Sequence, residues 1–144
     1  MTIDFYVNNN FKKIGYLTNI KPINKKEKKH GVYYVGDLPK SKGVYFLAKD
    51  QEILKFGDTN ARDGMQSRIQ NYLSNTEATN VWIRENLKND QHYDIYFFEI
   101  VPKLVNIMGV TVEESITPRS LEKALIEDYI SNKGIKPRLN RSIK

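Results

Sequence analysis

One run of nine residues constrains the fold more than any other part of this chain. Residues 93–101 read YDIYFFEIV, and an apolar, β-prone run of this kind predicts a central strand of a sheet. Residues 43–57 predict a β-hairpin, with strands GVYFLA and EILKFG. Residues 31–36 (GVYYVG) predict a further strand beside the sheet, and residues 104–116 predict a ribbon around Gly109.

Helical segments are mixed with these strands. Residues 65–74 carry apolar side chains at 65, 69, 72 and 73, which is helical spacing. A second helix is predicted to start at Thr76 or Thr79. The last helix should begin at Thr117–Pro118, a cap followed by proline, and Gly134 can end it. The sequence therefore predicts one small α+β domain, an antiparallel-rich sheet flanked by helices.

The composition excludes several classes of site and of protein. The chain has no cysteine, which removes disulfides, thiolate zinc sites, iron–sulfur clusters and cysteine nucleophiles. Its two histidines, His30 and His92, leave little for a histidine metal site or a Ser-His-Asp triad. No segment approaches the about 18 consecutive apolar residues of a transmembrane helix, and the N-terminus does not resemble a secretory signal.

The net charge of +6 is concentrated in the first 42 residues. That segment holds nine lysines against three acidic residues, whereas residues 43–144 hold fourteen basic and fourteen acidic residues. The last twelve residues also carry basic side chains and no acid. Such patches suit a polyanion such as nucleic acid, although a solvated surface in a lysine-rich chain has the same composition. We expect a basic extension, residues 1–42, within the same globule as a neutral body, residues 43–144.

Three charged residues stand in apolar surroundings. Lys55 lies inside an apolar strand, Arg68 lies on the apolar side of a helix, and Glu122 borders the packed face of the last helix. Burying any one of these charges alone would cost several kcal/mol. Taken singly, each can be an edge residue or a snorkelling side chain. Together they could form a charged cluster with Tyr45.

The register of the hairpin decides whether Tyr45 and Lys55 share a face. A two-residue turn at Asp50–Gln51 would pair residue 45 with residue 56 and put Lys55 on the opposite face. A three-residue turn at 49–51 would pair residue 45 with residue 55, on one face. The sequence does not choose between the two turns.

Several short motifs, in this order, resemble the GIY-YIG nuclease superfamily. The matching elements are Gly43–Val44–Tyr45, Lys55–Phe56–Gly57, Arg68 with Tyr72, Leu121–Glu122 and Pro137–Arg138–Leu139–Asn140. The first two elements resemble the two halves of the family's hairpin. The third resembles the arginine on the family's first helix, which is followed one turn later by an aromatic residue. The last two resemble the family's metal-ligand helix and its closing Pro-x-x-Asn. The resemblance spans about residues 43–140, and its specificity lies in the combination, because each motif is short.

The chain departs from the family's pattern at one position. Lys55 begins the second motif where tyrosine is usual, and this resembles a subset found among restriction endonucleases. Residues 31–36 also spell GVY and YVG, but without a gap, and one strand cannot supply both halves of a hairpin. The extension 1–42 has no counterpart in a minimal module. It resembles the additional DNA-binding segments that restriction-type and phage-type members of the superfamily carry outside the minimal module.

The resemblance also implies roles for individual residues. The implied catalytic residues are Tyr45, Lys55, Arg68, Tyr72, Glu122 and Asn140. Glu122 would bind Mg²⁺, or another divalent cation such as Mn²⁺, and Arg68 would clamp the phosphate. The base would be either Tyr45, with its pKa lowered by the cations Lys55 and Arg68, or Lys55 itself. Tyr72 would orient water or phosphate, although a tyrosine at this position can also serve packing alone. Asn140 would contact phosphate or support the site, although an asparagine there can also be a plain turn residue.

These roles imply a divalent-metal-dependent endonuclease that hydrolyses double-stranded DNA, most like a site-specific restriction endonuclease. The alternatives are a phage-encoded, DNA-degrading endonuclease of low specificity and a catalytically silent DNA-binding module. Neither a membrane nor an organic cofactor is implied, and we expect the cytoplasm of a prokaryotic cell or phage-infected host. Cutting both strands requires a homodimer or two successive events. The expected DNA-binding residues are Lys25, Lys26, Lys28, Lys29, Lys40, Lys42, Arg138 and Arg141.

Overall fold

A computed structural model describes residues 2–60, 62–114 and 116–140 of the chain. The elements are α1 (Ile3–Asn8), β1 (Lys12–Thr18), β2 (Tyr33–Gly36), β3 (Gly43–Lys49), β4 (Glu52–Thr59), α2 (Met65–Ser74), α3 (Ala78–Asp90), β5 (His92–Glu99), β6 (Lys103–Ile107), β7 (Val110–Glu114) and α4 (Pro118–Lys133). In this part of the chain, no helix has the length and hydropathy needed to cross a membrane.

The predicted fold class is confirmed. Five strands form one sheet in the order β2-β1-β5-β3-β4, and every neighbouring pair is antiparallel. β5 lies at the centre of the sheet, as its apolar run predicts. The last helix also has the predicted ends, because the Thr117 side chain accepts a hydrogen bond from the Ser120 N–H at 3.2 Å and Gly134 has a φ of 80°. The ribbon 104–116 forms as the separate hairpin β6–β7.

Two N-terminal elements were not anticipated. α1 has only six residues, too few for a periodic pattern to be visible, and β1 carries polar residues at both ends. β1 pairs with β2 on one side and with β5 on the other, so residues 12–18 fill the gap between the predicted strands. The basic N-terminal segment therefore contributes two strands to the main sheet.

The sheet is covered on both faces. Alternate residues of β3 point to opposite sides, so that Tyr45 packs in one apolar cluster and Phe46 in the other. The first cluster joins the sheet to α2 and α3, and the second joins it to α1 and α4. Helices α2 and α4 thus pack on opposite faces, and they can approach each other only around the free edge of β4.

Arg84 fixes α2 against α3 through a buried charge. Its guanidinium donates to the carbonyls of Tyr72 at 2.9 Å and Asn75 at 2.7 Å, which lie at the C-terminal end of α2. These carbonyls have no partner within their helix, and a cation at this end is also favourable to the helix dipole. Burial lowers the pKa of Arg84. The contact matters for the site because it anchors the turn of α2 that carries Tyr72.

Candidate active site

A two-residue turn joins the strands of the β3–β4 hairpin. Asp50 and Gln51 both have positive φ, at 51° and 76°, and Lys49 pairs with Glu52 across the turn. If the ladder continued regularly from this turn, Lys55 would lie on the face opposite to Tyr45.

A β-bulge at Leu54 changes that register. The pairing slips by one residue between Leu47 and Ala48, so Leu54 is the extra residue on β4. Tyr45 therefore pairs with Gly57, and Lys55, two positions before Gly57, shares the face of Tyr45. Neither register considered from the sequence forms, but the common face that the proposed site requires does form.

Residues 139–140 hold the bulged part of β4 from outside. The Leu139 N–H donates to the Leu54 carbonyl at 2.7 Å. The Asn140 side chain accepts from the Phe56 N–H at 2.8 Å and donates to the Phe56 carbonyl at 3.0 Å. Because β4 is an edge strand, these bonds satisfy backbone groups that no neighbouring strand can reach. Asn140 thus binds the backbone of the residue next to Lys55, and its contact with phosphate stays a prediction.

An open cleft of about 750 Å³ lies at the edge of β4 where α2 and α4 approach. Four of the predicted catalytic residues line it, namely Tyr45, Lys55, Arg68 and Glu122. They come from β3, β4, α2 and α4, which are separated by up to 77 positions in the sequence, from Tyr45 to Glu122. The fold therefore brings together the charged residues that stood out in apolar segments.

Tyr45 lies at the bottom of this cleft with its ring across the backbone of β4. A Cβ atom at Gly57 would lie 2.4 Å from the Cζ and Oη atoms of Tyr45, so only glycine allows this approach. The Tyr45 hydroxyl is 2.5 Å from the hydroxyl of Tyr72, and both side chains are buried. The structure thus places Tyr72 behind Tyr45.

The pKa of Tyr45 departs from the value expected from its neighbours. Burial raises the pKa of this phenol well above its ordinary value, and Tyr72 raises it further. Arg68 lowers the pKa, as a cation should, but burial outweighs it. The expectation that nearby cations would lower the pKa of Tyr45 is therefore wrong for the free protein, in which the phenol is neutral.

Arg68 reaches the cleft from α2. Its guanidinium donates to the backbone carbonyl of Asp58 at 3.1 Å. A permanently charged, planar donor held on β4 in this way suits the clamping of a phosphate group.

Glu122 and Asp58 form a pair of carboxyl groups in the cleft. The pKa of Glu122 is raised to about 8, first by burial, and next by hydrogen bonding and charge repulsion with Asp58; Lys55 and Arg68 oppose the rise. A carboxylate beside another carboxyl group makes ionisation of that group more costly. Sequence reasoning missed Asp58, although its position directly after Lys55–Phe56–Gly57 is a signal that could have found it.

This pair is a fit donor set for a hard divalent cation. Mg²⁺ is commonly held by one or two carboxylates, with waters and substrate phosphates completing its shell. Within residues 2–60, 62–114 and 116–140, no group of three or more Asp, Glu, His or Cys side chains forms a complete cage. The geometry therefore suits a cation that is shared with the substrate, and Asp58 joins Glu122 as a candidate ligand.

The cleft has further cations that the sequence reasoning missed. Arg119 and Lys123 lie on α4, on either side of Glu122, and both line the cleft with exposed side chains. Their signal is the helical spacing, because Arg119 and Lys123 are four positions apart and so lie on one side of α4. With them, four basic side chains line the cleft against three acidic ones, Asp58, Glu122 and Glu127.

The structure places seven of the eight predicted DNA-binding residues, and all seven lie outside this cleft. Lys25, Lys26, Lys28 and Lys29 are exposed on the loop between β1 and β2, and Lys40 and Lys42 lie just before β3. Arg138 forms an ion pair with Asp90 at 3.2 Å and lies 3.9 Å from Glu52, so its charge is already partly neutralised. Arg141 lies outside the described residues. A role in DNA binding stays a prediction for all eight.

Replacing Glu122 with glutamine should make the fold less sensitive to alkaline pH. In the folded protein the pKa of Glu122 is about 8, against an ordinary value of 4.5, so folding is favoured by the protonated form. The resulting stabilisation is complete below about pH 4.5 and is lost as the pH rises toward about 8. Urea unfolding should therefore show a smaller fall in the free energy of unfolding between these pH values for Glu122→Gln than for the wild type.

Glu127→Gln is the matched control for this experiment. Glu127 lines the same cleft from the same helix but is exposed. Its variant should keep the wild-type dependence on pH. Equal slopes for Glu122→Gln and the wild type would contradict the raised pKa of Glu122.

No protein-family model and no curated protein matches this chain. Solved structures do match. The restriction endonuclease HPY188I in complex with product DNA has a TM-score of 0.53 at 19% identity, over 99% of this chain and 87% of that chain. A mutant of bacteriophage T4 EndoII has a TM-score of 0.60 at 17% identity, over 96% of this chain and 97% of that chain. The chain shares their fold.

Proposed function

We propose that this protein is a divalent-metal-dependent DNA endonuclease of the GIY-YIG type. The observation that carries the proposal is the cleft at the edge of β4, where Tyr45, Lys55, Arg68 and Glu122 converge from four elements. The fold supports it, because the chain shares that fold with a restriction endonuclease whose structure includes product DNA. We place its action in the cytoplasm of a prokaryotic cell or phage-infected host.

Hydrolysis of a phosphodiester requires a positioned water, charge neutralisation at phosphorus and help for the leaving oxygen. Arg68 is aimed into the cleft and would hold the phosphate, with Arg119 and Lys123 attracting the neighbouring phosphates at the rim. Glu122 and Asp58 would hold Mg²⁺ or Mn²⁺. When bound, such a cation supplies Lewis-acid stabilisation of the charge that develops on the phosphate.

We assign to Lys55, as the neutral amine that remains once its ammonium proton has left to solvent, the acceptance of the proton from the attacking water. Tyr45 is neutral and buried in the free protein, and its hydroxyl is already bound to Tyr72. A neutral phenol can donate or accept one hydrogen bond and so can orient a water. Lys55 lines the same cleft on the same face of the sheet and has no carboxylate bound to it among the described residues.

The proposal is tested by incubating the purified protein with plasmid DNA and Mg²⁺, with EDTA as the control. Discrete bands would support a site-specific restriction endonuclease, which is the activity we favour. A smear would support a DNA-degrading endonuclease of low specificity, of the kind a phage encodes. If the protein binds the plasmid but does not cut it with any of the divalent cations tested, the proposal of a nuclease is overturned and a DNA-binding module is supported.

The lysines between β1 and β2 should contribute affinity without sequence preference. Lys25, Lys26, Lys28 and Lys29 are exposed, and none forms an ion pair with another described residue. Replacing all four with alanine should weaken binding to every DNA sequence. The salt slope should fall by up to about 0.9 for each phosphate that the variant no longer neutralises. The measurement is DNA affinity from low to moderate salt.

Lys88→Ala is the control for the loss of a lysine that does not contact DNA. The ammonium of Lys88 is 3.3 Å from a carboxylate oxygen of Glu85, so its charge is already paired within the protein. Its salt slope should equal that of the wild type. If the salt slope of the quadruple variant is unchanged, the loop does not contact DNA and is only a solvated segment. The basic surface that binds DNA would then be expected in residues 133–144.

A further inference from the structure

The loop between β1 and β2 has a defined backbone, although most of its side chains are exposed. The Lys25 N–H donates to the Pro22 carbonyl at 3.2 Å, which closes a β-turn with Ile23 in its second position. The Tyr33 hydroxyl accepts from the Lys28 N–H at 3.3 Å and so ties the far end of the loop to β2. The loop therefore holds its side chains on a fixed scaffold.

Ile23 is an almost fully exposed apolar residue at the tip of this turn. It is 96% exposed, and Ile20 on the same loop is 63% exposed. Isoleucine is among the residue types that folded proteins bury most often. Single exposed isoleucines are nevertheless common on protein surfaces, so the charge around Ile23 decides what its exposure means.

The surroundings of Ile23 are strongly basic. Residues 21–29 read KPINKKEKK, with five lysines and one glutamate, and all six charged side chains are exposed. None of the five lysines forms an ion pair with another described residue. An isoleucine placed among free cations suits a partner whose surface is anionic and whose interior is apolar.

Duplex DNA has this arrangement of charge and apolar surface. Its phosphates bind lysines, and proteins that bind the minor groove insert isoleucine, leucine, phenylalanine, methionine or proline between its stacked bases. An anionic membrane also has charge outside and apolar chains inside. Two isoleucines, however, offer less apolar surface than one myristoyl chain, which by itself binds a membrane only marginally. DNA is therefore the partner that we infer, and this choice rests on the proposed function.

The loop and the cleft are close enough to contact one duplex. On β5, Phe97 pairs with Tyr45 and His92 pairs with Thr18, the last residue of β1. These two positions are five residues apart, or about 17 Å along the strand, and β1 lies two strands, or about 10 Å, from β3. The base of the loop is thus about 20 Å from Tyr45, which equals about six base pairs at about 3.4 Å each.

We propose that Ile23 is a wedge that enters between two base pairs of the DNA while the lysines of the loop bind the flanking phosphates. Insertion unstacks and unwinds the step and kinks the duplex. Pyrimidine–purine steps such as TA and CA unstack most easily, so the wedge selects sites by deformability, without a hydrogen bond to a base. The lysines thus give affinity for any sequence, and Ile23 adds a preference among sequences.

The first test measures unwinding, which does not depend on where on the DNA the protein binds. A closed circular plasmid is relaxed by a type IB topoisomerase in EDTA, with the protein at saturating concentration, and the protein is then removed. The wild type should leave the plasmid negatively supercoiled, because the bound wedge has unwound it. Ile23→Ala should leave the plasmid relaxed, whereas Ile23→Phe should act like the wild type.

Ile130→Ala is the matched control, because it removes an exposed isoleucine side chain from α4, outside the loop. It should leave the same supercoiling as the wild type. All of these variants should have the circular dichroism of the wild type, since both isoleucines are exposed.

The second test compares the affinity for a short duplex with that for the same duplex with one nucleotide missing, again in EDTA. The wild type should bind the gapped duplex at least about fivefold more tightly, because the gap removes part of the cost of unstacking. Ile23→Ala should bind the two duplexes equally.

Two results would overturn the wedge and leave the proposed nuclease standing. The wild type could bind the plasmid and leave it relaxed, or the wild type and Ile23→Ala could leave equal supercoiling. Absence of any DNA binding by the wild type would overturn the wedge together with the nuclease. Binding to phosphatidylserine vesicles that depends on Ile23, without binding to DNA, would make the loop a membrane contact instead.

Discussion

Replacing Glu122 with glutamine is expected to abolish DNA cleavage and to leave DNA binding unchanged or slightly tighter. Glutamine keeps the size of the side chain but cannot supply the carboxylate that we assign to the divalent cation. The rate should fall by at least about a thousandfold, because several kcal/mol of transition-state stabilisation is lost with the cation. Binding should persist, because it depends on cations elsewhere on the surface, including Arg119 and Lys123 at the rim.

The measurement is a single-turnover cleavage assay with Mg²⁺, alongside a binding assay in Ca²⁺ or EDTA. Glu127→Gln again serves as the control, because it removes an acid from the same cleft and the same helix without touching the pair with Asp58. Asp58→Asn should give an intermediate loss if Asp58 shares the cation. Near wild-type cleavage by Glu122→Gln would place the metal site elsewhere and would remove the main support for the proposed roles.

Lys55→Ala should lose at least about two orders of magnitude in cleavage rate, which is the usual range for removal of an acid–base group. The loss of the positive charge of Lys55 should not by itself explain this fall in the cleavage rate. Lys55→Arg keeps the positive charge but cannot give up a proton at neutral pH, so its loss should be similar. Lys55→Tyr introduces the residue that is usual in the GIY-YIG motif, which the hairpin resembles, and should keep part of the activity.

Lys49→Ala separates this effect from damage to the hairpin. Lys49 lies on the same hairpin, and its ammonium donates to the Asp90 carbonyl at 2.6 Å, outside the cleft. Its loss should lower the free energy of unfolding modestly and leave the cleavage rate near that of the wild type. Full activity in Lys55→Ala would assign the proton transfer to another group, and the bulge at Leu54 would then have no role in catalysis.

The charged residues of the cleft could be found from sequence because burying a charge alone is costly. Lys55, Arg68 and Glu122 each interrupt an apolar pattern, and the interruption is visible without a structure. The main elements were equally accessible, because β5 and α4 have strong local patterns of apolar residues and caps. Asp58 was missed for the opposite reason, since an aspartate after a glycine is also what a plain turn contains.

The register of the β3–β4 hairpin could not have been derived locally. It depends on the bulge at Leu54, whose carbonyl is bound by Leu139, a residue 85 positions away. The pKa of Tyr45 was misjudged for a related reason. Its charged neighbours can be named from the sequence, but the complete burial of its ring under α2 cannot be foreseen, and burial has the larger effect.

The hydrogen bonds that Leu139 and Asn140 make with β4 also set the order in which the protein can mature. A ribosome adds about 5–20 residues per second, so Tyr45 and Lys55 leave it several seconds before Glu122, Leu139 and Asn140 do. Until then the outer edge of β4 has no partner for its backbone and the bulge has nothing to hold it. A nascent chain therefore carries the hairpin before it has a cleft, and the polar residues of the cleft meet only once the C-terminal segment has been made.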